Sequence, residues 1–189
     1  NYPEKHLSFS KRIIGFTGNN GVGKTNLLDA IHYLGLTRSY FNRNDALASH
    51  FGKKGFRIQG VFEKEGQRNL VSCVYRENGK KEISINGNIA PRQTDHIGQY
   101  PIVFIAPDDA QLITGDSKER RAFIDQLICQ LDTTYLHNLL SYNRILQQRN
   151  ALLKELAVTH SNNYALLDVL DEQLSSFGDR KSTRLNSSH

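Results

Sequence analysis

The sequence Gly18-Asn19-Asn20-Gly21-Val22-Gly23-Lys24-Thr25 decides the fold of this chain. It fits the pattern Gly-x-x-x-x-Gly-Lys-Ser/Thr, which is typical of loops that bind the phosphates of a nucleotide. Glycine lets the backbone turn tightly enough for N–H groups to point at phosphate oxygens. Lys24 supplies a positive charge for the outer phosphates, and the Thr25 hydroxyl can bind the Mg²⁺ that accompanies the nucleotide. Every residue of this loop is therefore a candidate nucleotide-binding residue.

The residues on either side of the loop predict a strand before it and a helix after it. Ile13-Ile14-Gly15-Phe16-Thr17 is a short apolar run, which favours a buried strand. Residues 26–34 carry apolar side chains at helical spacing. The phosphates would then meet the N-terminus of a helix, where the helix dipole and unpaired N–H groups favour anions. A glycine-rich turn that matches by chance is the alternative, and the predicted strand and helix weigh against it.

The composition bounds the class of protein. The chain has 189 residues, of which 38% are hydrophobic and 23% charged, as in an ordinary globular protein. No apolar run is long enough for a membrane span and the polar N-terminus carries no secretory signal, so we expect a cytoplasmic protein. Cys73 and Cys129 are far apart and are expected to be free thiols, and no histidine spacing indicates a metal site. The formal net charge of +5 permits a polyanionic partner without requiring one.

Strand-like segments separated by turn residues follow the first predicted helix. They span residues 56–62, 69–75 and 81–86, and they predict an antiparallel meander. A plain doubly wound nucleotide-binding fold would alternate strands and helices here, so the meander argues against that fold class. Further on, Ile102-Val103-Phe104-Ile105 is a continuous apolar run that predicts a buried parallel strand.

The last part of the chain is predicted to be helical. Apolar side chains at helical spacing predict helices over residues 118–131, 133–157 and 164–177. We therefore divide the chain into an α/β lobe with the loop, 1–116, and a helical part, 117–179. Residues 180–189 are polar and without period, and we predict that they are a disordered tail or foreign to the protein.

Three stretches of the sequence together carry a family resemblance. The first is the loop with its helix, which alone indicates only an ATPase of the SMC/Rad50/RecF type. The second comprises Pro107-Asp108-Asp109, Leu112-Ile113, Gly115 and Glu119-Arg120-Arg121-Ala122-Phe123-Ile124-Asp125. The third is Tyr142-Asn143-Arg144, followed by Leu146-Gln147-Gln148-Arg149-Asn150-Ala151-Leu152-Leu153-Lys154. Taken together, the three stretches resemble the RecF family of bacterial DNA replication and repair proteins, and the resemblance covers residues 1–157.

The resemblance implies an α/β fold: the P-loop head of an ATP-binding cassette (ABC) ATPase with an antiparallel β meander, followed by a helical arm domain. It implies that residues 18–25 hold ATP, that Thr25 contacts Mg²⁺, and that ATP drives homodimerisation. It also implies binding to single-stranded DNA and to the single-strand/double-strand junctions of gapped DNA, with RecR, RecO and RecA as partners in gap repair and the SOS response. The alternatives are another SMC-like chromosome-maintenance ATPase, or a scaffold that dimerises on a nucleotide without hydrolysing it.

Two motifs that complete the ATPase site in this family are missing from the 189 residues. They are a serine-rich signature and an apolar strand that ends in acidic residues (Walker B). Two stretches partly match the Walker B motif. Residues 102–108 have its apolar run, but Pro107 stands directly before the acidic residue. Residues 166–172 have its acidic residues, but their apolar side chains recur at a helical period rather than as in a strand. We therefore assign no catalytic residue. We expect weak ATP hydrolysis by the whole protein and little or none by this chain alone.

Four arginines are candidate contacts to DNA or phosphate, and each has a plainer interpretation. Arg38 and Arg43 follow the first helix, where a solvated loop is the alternative. Arg120 and Arg121 lie in a predicted helix, where Arg121 can pair with Asp125 at i, i+4. We favour the structural interpretation for all four and assign no DNA-binding residue.

Overall fold

The computed structural model describes residues 2–42, 44–159 and 164–186. Its contacts divide the chain into two compact units, Asn1–Pro107 and Asp108–His189. The division falls before residue 116, where the sequence analysis ended the first part. Arg43 and the last residues of the predicted tail, 187–189, lie outside the described residues. Within the described ranges, no helix is both long enough and apolar enough to cross a membrane.

The first unit is built around a helix, α1 (Lys24–Leu36), which the sequence predicted. It begins directly after Gly23 and is followed by Thr37, whose N–H donates to the Tyr33 carbonyl at 2.8 Å. Thr37 has a φ of 58°, a left-handed conformation that is unfavourable for a β-branched residue. The C-terminal half of α1, from His32 onward, is buried, whereas the N-terminal half meets solvent with several side chains.

The predicted antiparallel meander is confirmed. Its strands are β1 (Phe56–Lys64), β2 (Gln67–Tyr75), β3 (Lys81–Ile85) and β4 (Asn88–Ile89), and they pair in the order β1-β2-β3-β4. The tight turn between β1 and β2 has positive φ at both Glu65 and Gly66, which matches the twist of a two-residue hairpin. In the register of the sheet, Cys73 lies opposite Ile58 on one side and Ile83 on the other.

The hydrophobic core of the first unit lies between α1 and one face of the meander. Tyr33 and Leu34 of the helix pack there with side chains of the strands and with Tyr100. Cys73 is fully buried and is a free thiol, as the sequence predicted, and this burial raises the pKa of the thiol to about 12. A thiol held neutral in this way acts as a small apolar side chain.

Two predicted strands are not strands. Within the described residues, neither residues 13–17 nor residues 102–105 join a hydrogen-bonded sheet. Ile13 is 88% exposed, and Val103 and Ile105 are 65% and 74% exposed. Both runs are apolar, as a buried strand requires. A buried parallel strand also needs a neighbouring strand on each side to pair with its N–H and C=O groups. Here the two runs have no such neighbours among the described residues.

One face of residues 102–106 nevertheless packs against other residues of the first unit. A Cβ atom on Gly35 would lie 2.4 Å from Ile102 Cδ1, so the absence of a side chain at Gly35 lets Ile102 reach α1. The Phe104 ring lies 4.5 Å from the Tyr40 ring and 5.4 Å from the His32 ring, centroid to centroid. The alternating exposure is that of a strand with one covered face.

Most of the described residues of the second unit are helical. The helices are α2 (Gln111–Thr114), α3 (Ser117–Leu131), α4 (Thr133–Thr159) and α5 (Ala165–Asn186). The three predicted helices are confirmed, but the predicted end of the last one near Phe177 is wrong. The backbone of α5 stays helical through Asn186, because a helix needs no apolar periodicity where its hydrogen bonds are internal. That residues 180–189 are foreign to the protein stays a prediction.

A partly buried ion pair ties the end of α1 to the meander. Lys81 Nζ lies 2.6 Å from Asp45 Oδ2 and donates to the Thr37 carbonyl at 2.8 Å. The side chains of Lys81 and Asp45 are 11% and 22% exposed. The Tyr33 hydroxyl donates to the other oxygen of Asp45. The pKa of Tyr33 is raised, mainly by burial and also by this hydrogen bond. Lys81 therefore holds the carbonyl of the strained Thr37 in place.

Removing the charge of Asp45 should destabilise the fold. Asp45→Asn leaves the Lys81 ammonium without its anion, and we expect the free energy of unfolding in a urea titration to fall by about 2 kcal/mol. The matched control is Glu77→Gln, which breaks the exposed pair with Lys54, whose side chains are 69% and 76% exposed. That change should cost less than about 0.5 kcal/mol. Equal losses for the two variants would contradict the role given to Asp45.

Candidate nucleotide-phosphate site

The loop of residues 18–25 turns sharply at positions that favour glycine. Gly18 and Gly23 have φ of 134° and 96°, values that side-chain-bearing residues rarely adopt. Lys24 and Thr25 form the first turn of α1, and the preceding residues form the turn that leads into it. Gly23 is buried, Lys24 is half-buried, and the other members of the loop are exposed. The structure thus brings the predicted site residues together at one end of α1.

The Lys24 side chain folds back over the loop. Its Nζ donates to the carbonyls of Gly18 and Asn19, each at 2.7 Å. An ammonium group has three donors, and these two contacts account for two of them. Lys24 therefore places a positive charge across the mouth of the loop, where the phosphate oxygens of a ligand would compete with the two carbonyls for its donors.

The N-terminus of α1 presents unpaired backbone donors. Among the described residues, no side chain caps it: Gly23 has the N-cap position without a side-chain hydrogen bond. The first turn also lacks an acidic residue that would offset the positive end of the helix dipole. An uncapped helix N-terminus beside a lysine is suited to bind an anion, and a chain of phosphates is the anion that this loop length fits.

The structure fits a magnesium ion only in the company of a phosphate ligand. Thr25 is exposed on the first turn of α1, so its hydroxyl is accessible beside the uncapped helix end. In the described parts of the chain, no group of three or more His, Cys, Asp or Glu residues could hold a metal ion on its own. Mg²⁺ commonly binds through one or two protein oxygens and the phosphates of a substrate. The contact between Thr25 and Mg²⁺ stays a prediction.

Sequence reasoning missed the role of Asp29, one helical turn after Thr25. Its carboxylate accepts from the Ser39 hydroxyl and from the Tyr40 N–H, each at 2.7 Å. Ser39 Oγ in turn accepts from the N–H groups of Phe41 and Asn42. A carboxylate on the phosphate-binding helix thus fixes the loop that follows α1. The sequence signal for Asp29 was its i, i+4 spacing from Thr25, which places the two residues on the same side of the helix. This spacing does not reveal that Asp29 binds Ser39, ten residues further on.

The candidate arginines have structural contacts. Arg120 Nη1 donates to the Gly115 carbonyl at 2.8 Å, near the end of α2, and Arg121 Nη1 donates to Ser117 Oγ at 2.8 Å. The predicted pair between Arg121 and Asp125 is wrong, because one oxygen of Asp125 pairs with Lys181 at 2.8 Å and the other accepts from the Tyr135 hydroxyl. Arg38 is exposed beside the Asp29 loop. None of these contacts tests an interaction with DNA.

Comparison with known proteins defines the class. The model of the AAA domain family matches residues 1–184, so the chain belongs to that family. Its fold is that of an ABC-type P-loop ATPase head with an antiparallel meander. A solved structure concerned with SMC ATPases shares this fold, with a TM-score of 0.50 and 21% identity over 64% of this chain and 87% of that one.

Within this class, the resemblance to RecF is confirmed. The chain is 40% identical to the DNA replication and repair protein RecF of Flavobacterium johnsoniae over 94% of this chain and 50% of the relative. It is also 40% identical to RecF of Parabacteroides distasonis, over 94% and 48%. The chain thus spans about half the length of the curated relatives it matches. A solved structure of "the recombination mediator protein RecF-ATPrS in RecFOR pathway" has a TM-score of 0.84 and 30% identity, over 90% of this chain and 46% of that one.

Removing the Lys24 ammonium should weaken the binding of phosphate ligands. For Lys24→Ala we expect the Kd of a fluorescent nucleoside triphosphate to rise about 10- to 100-fold, as for the loss of a charged hydrogen bond. Lys53→Ala removes the same charge from an exposed position outside the loop and should leave the Kd unchanged. If both variants bind equally well, or both lose affinity equally, Lys24 has no specific role.

Proposed function

We propose that this chain is the ATP-binding part of a RecF-type DNA replication and repair protein. The observation that carries the proposal is the uncapped N-terminus of α1 with Lys24 folded over the adjoining loop. Loop amides, helix dipole and ammonium together favour a polyphosphate. A solved relative described as RecF-ATP has a TM-score of 0.81 against this chain, which supports ATP as the nucleotide.

Each part of the loop has a role in this proposal. The backbone of residues 18–23 surrounds the phosphates, Lys24 neutralises the outer ones, and Thr25 contributes its hydroxyl to Mg²⁺. When bound, Mg²⁺ neutralises phosphate charge and orients the phosphate chain. Asp29 holds the neighbouring loop against the same helix, through Ser39 and Tyr40. The contribution of the chain is thus binding and positioning.

ATP is proposed to act mainly by joining two subunits. In the described part of the chain, the acidic residues of the two stretches that partly match a Walker B motif do not end a strand: Asp108 lies in a short 3₁₀ helix at Pro107–Ala110, and Asp168 and Asp171 lie in α5. A second copy of the whole protein would complete the ATP contacts with the serine-rich signature, which these 189 residues lack. This favours weak hydrolysis, and it also supports the alternative of a nucleotide-dependent scaffold without hydrolysis.

The proposed macromolecular partner is DNA. By its resemblance to RecF, the dimer would bind single-stranded DNA and the junctions of gapped DNA, and would help RecR and RecO to load RecA during gap repair and the SOS response. The net charge of +5 is compatible with such a partner. This work would take place in the cytoplasm, where bacterial DNA lies. Another SMC-like chromosome-maintenance ATPase is the less favoured alternative, because the identity to RecF proteins is higher.

ATP should make the protein dimerise and bind gapped DNA. We expect sedimentation velocity to show a dimer with ATP and Mg²⁺ but a monomer without them, and fluorescence anisotropy to show tighter binding to a gapped duplex with ATP. Lys24→Ala should lose both responses, and Lys53→Ala should keep both. Dimerisation without any preference for gapped DNA would favour the scaffold alternative. ATP binding without dimerisation would contradict the proposed role of ATP.

A further inference from the structure

Tyr2 contacts the phosphate-binding loop from a distant position in the sequence. Its hydroxyl donates to the carbonyl of Val22 at 2.7 Å. Its ring lies against Gly23: a Cβ atom at that position would be 2.9 Å from Tyr2 Cε2 and 3.0 Å from Cζ and Oη. Gly23 is buried although Val22 and Thr25 are exposed.

The hydrogen bond fixes the direction of one peptide group. The peptide between Val22 and Gly23 is planar and trans, so its C=O and its N–H point in opposite directions. Because Tyr2 holds the carbonyl on one side, the Gly23 N–H is directed to the other side, away from the tyrosine. In loops of this kind, the backbone N–H groups of these residues are the phosphate donors.

The ring restricts the loop in a second way. Glycine at φ 96° has many alternative conformations, and an empty loop can lose its shape by rotating about this residue. The Tyr2 ring fills the space beside Gly23, so it limits how far the backbone there can move toward the tyrosine. The geometry points to Tyr2 as a positioning residue that keeps the Gly23 N–H in the orientation that binds phosphate. This inference rests on the proposed nucleotide binding.

The experiment compares Tyr2→Phe with the wild-type chain. Phenylalanine keeps the ring and removes only the hydroxyl, so the fold is retained, and unchanged thermal unfolding without ligand verifies this. The Kd values of ATP and of inorganic tripolyphosphate are measured by competition with a fluorescent ATP. We expect both Kd values to rise by the same factor, about 3- to 10-fold, which corresponds to the loss of one neutral hydrogen bond. Tyr164→Phe, at a 53% exposed tyrosine outside the loop, is the matched control and should change neither.

The ligand pair separates positioning from stacking on the base. If Tyr2→Phe and Tyr2→Leu leave the affinity for tripolyphosphate unchanged and weaken only that for ATP, Tyr2 contacts the base and the inference is wrong. Unchanged affinities for both ligands also overturn it. If the wild-type chain binds ATP in a Lys24-dependent way while the Tyr2 variants equal it, only this inference fails. If the wild type binds neither ligand, the proposed function fails and this inference fails with it.

Discussion

The left-handed turn at Gly23 is the constraint on which the candidate site depends. With a φ of 96°, it directs the chain into α1 without providing a side chain that could cap the helix. The amides of the first turn therefore stay available, and Lys24 comes to lie over the carbonyls that precede the turn. At its other end, the same helix buries Tyr33 and Leu34 in the core. One rigid element thus carries both the anion-binding end and a main hydrophobic contact of the first unit.

The segment after α1 is fixed at two points, and both connect it to that helix. Asp29 accepts from Ser39 and Tyr40, and Lys81 reaches across from β3 to Asp45 and to the carbonyl of Thr37. A left-handed threonine is unfavourable by itself, so it persists because its surroundings hold it. Strain of this kind is concentrated at sites of function, and here it lies between the phosphate-binding helix and the meander.

Local patterns predicted the elements whose partners are near in sequence. The loop motif, α1 and the hairpins of the meander were found because glycine spacing, helical period and turn residues are local signals. Residues 13–17 and 102–105 were wrongly predicted as strands, because a parallel strand depends on neighbours that a local pattern does not reveal. The same limit applies to Tyr2, whose partner Val22 is 20 residues away, and to Asp125, which accepts from Tyr135 rather than Arg121.

Hydrogen exchange of the backbone amides in the presence of ATP and Mg²⁺ tests the central claim most directly. The claim is that the amides of residues 18–25 bind the phosphates, so saturating ATP should slow their exchange and leave β2 and β3 unaffected. Lys24→Ala at the same ATP concentration should show much less protection. Exchange that stays fast in residues 18–25 while the protein is saturated with ATP would show that the nucleotide binds elsewhere and would contradict the account.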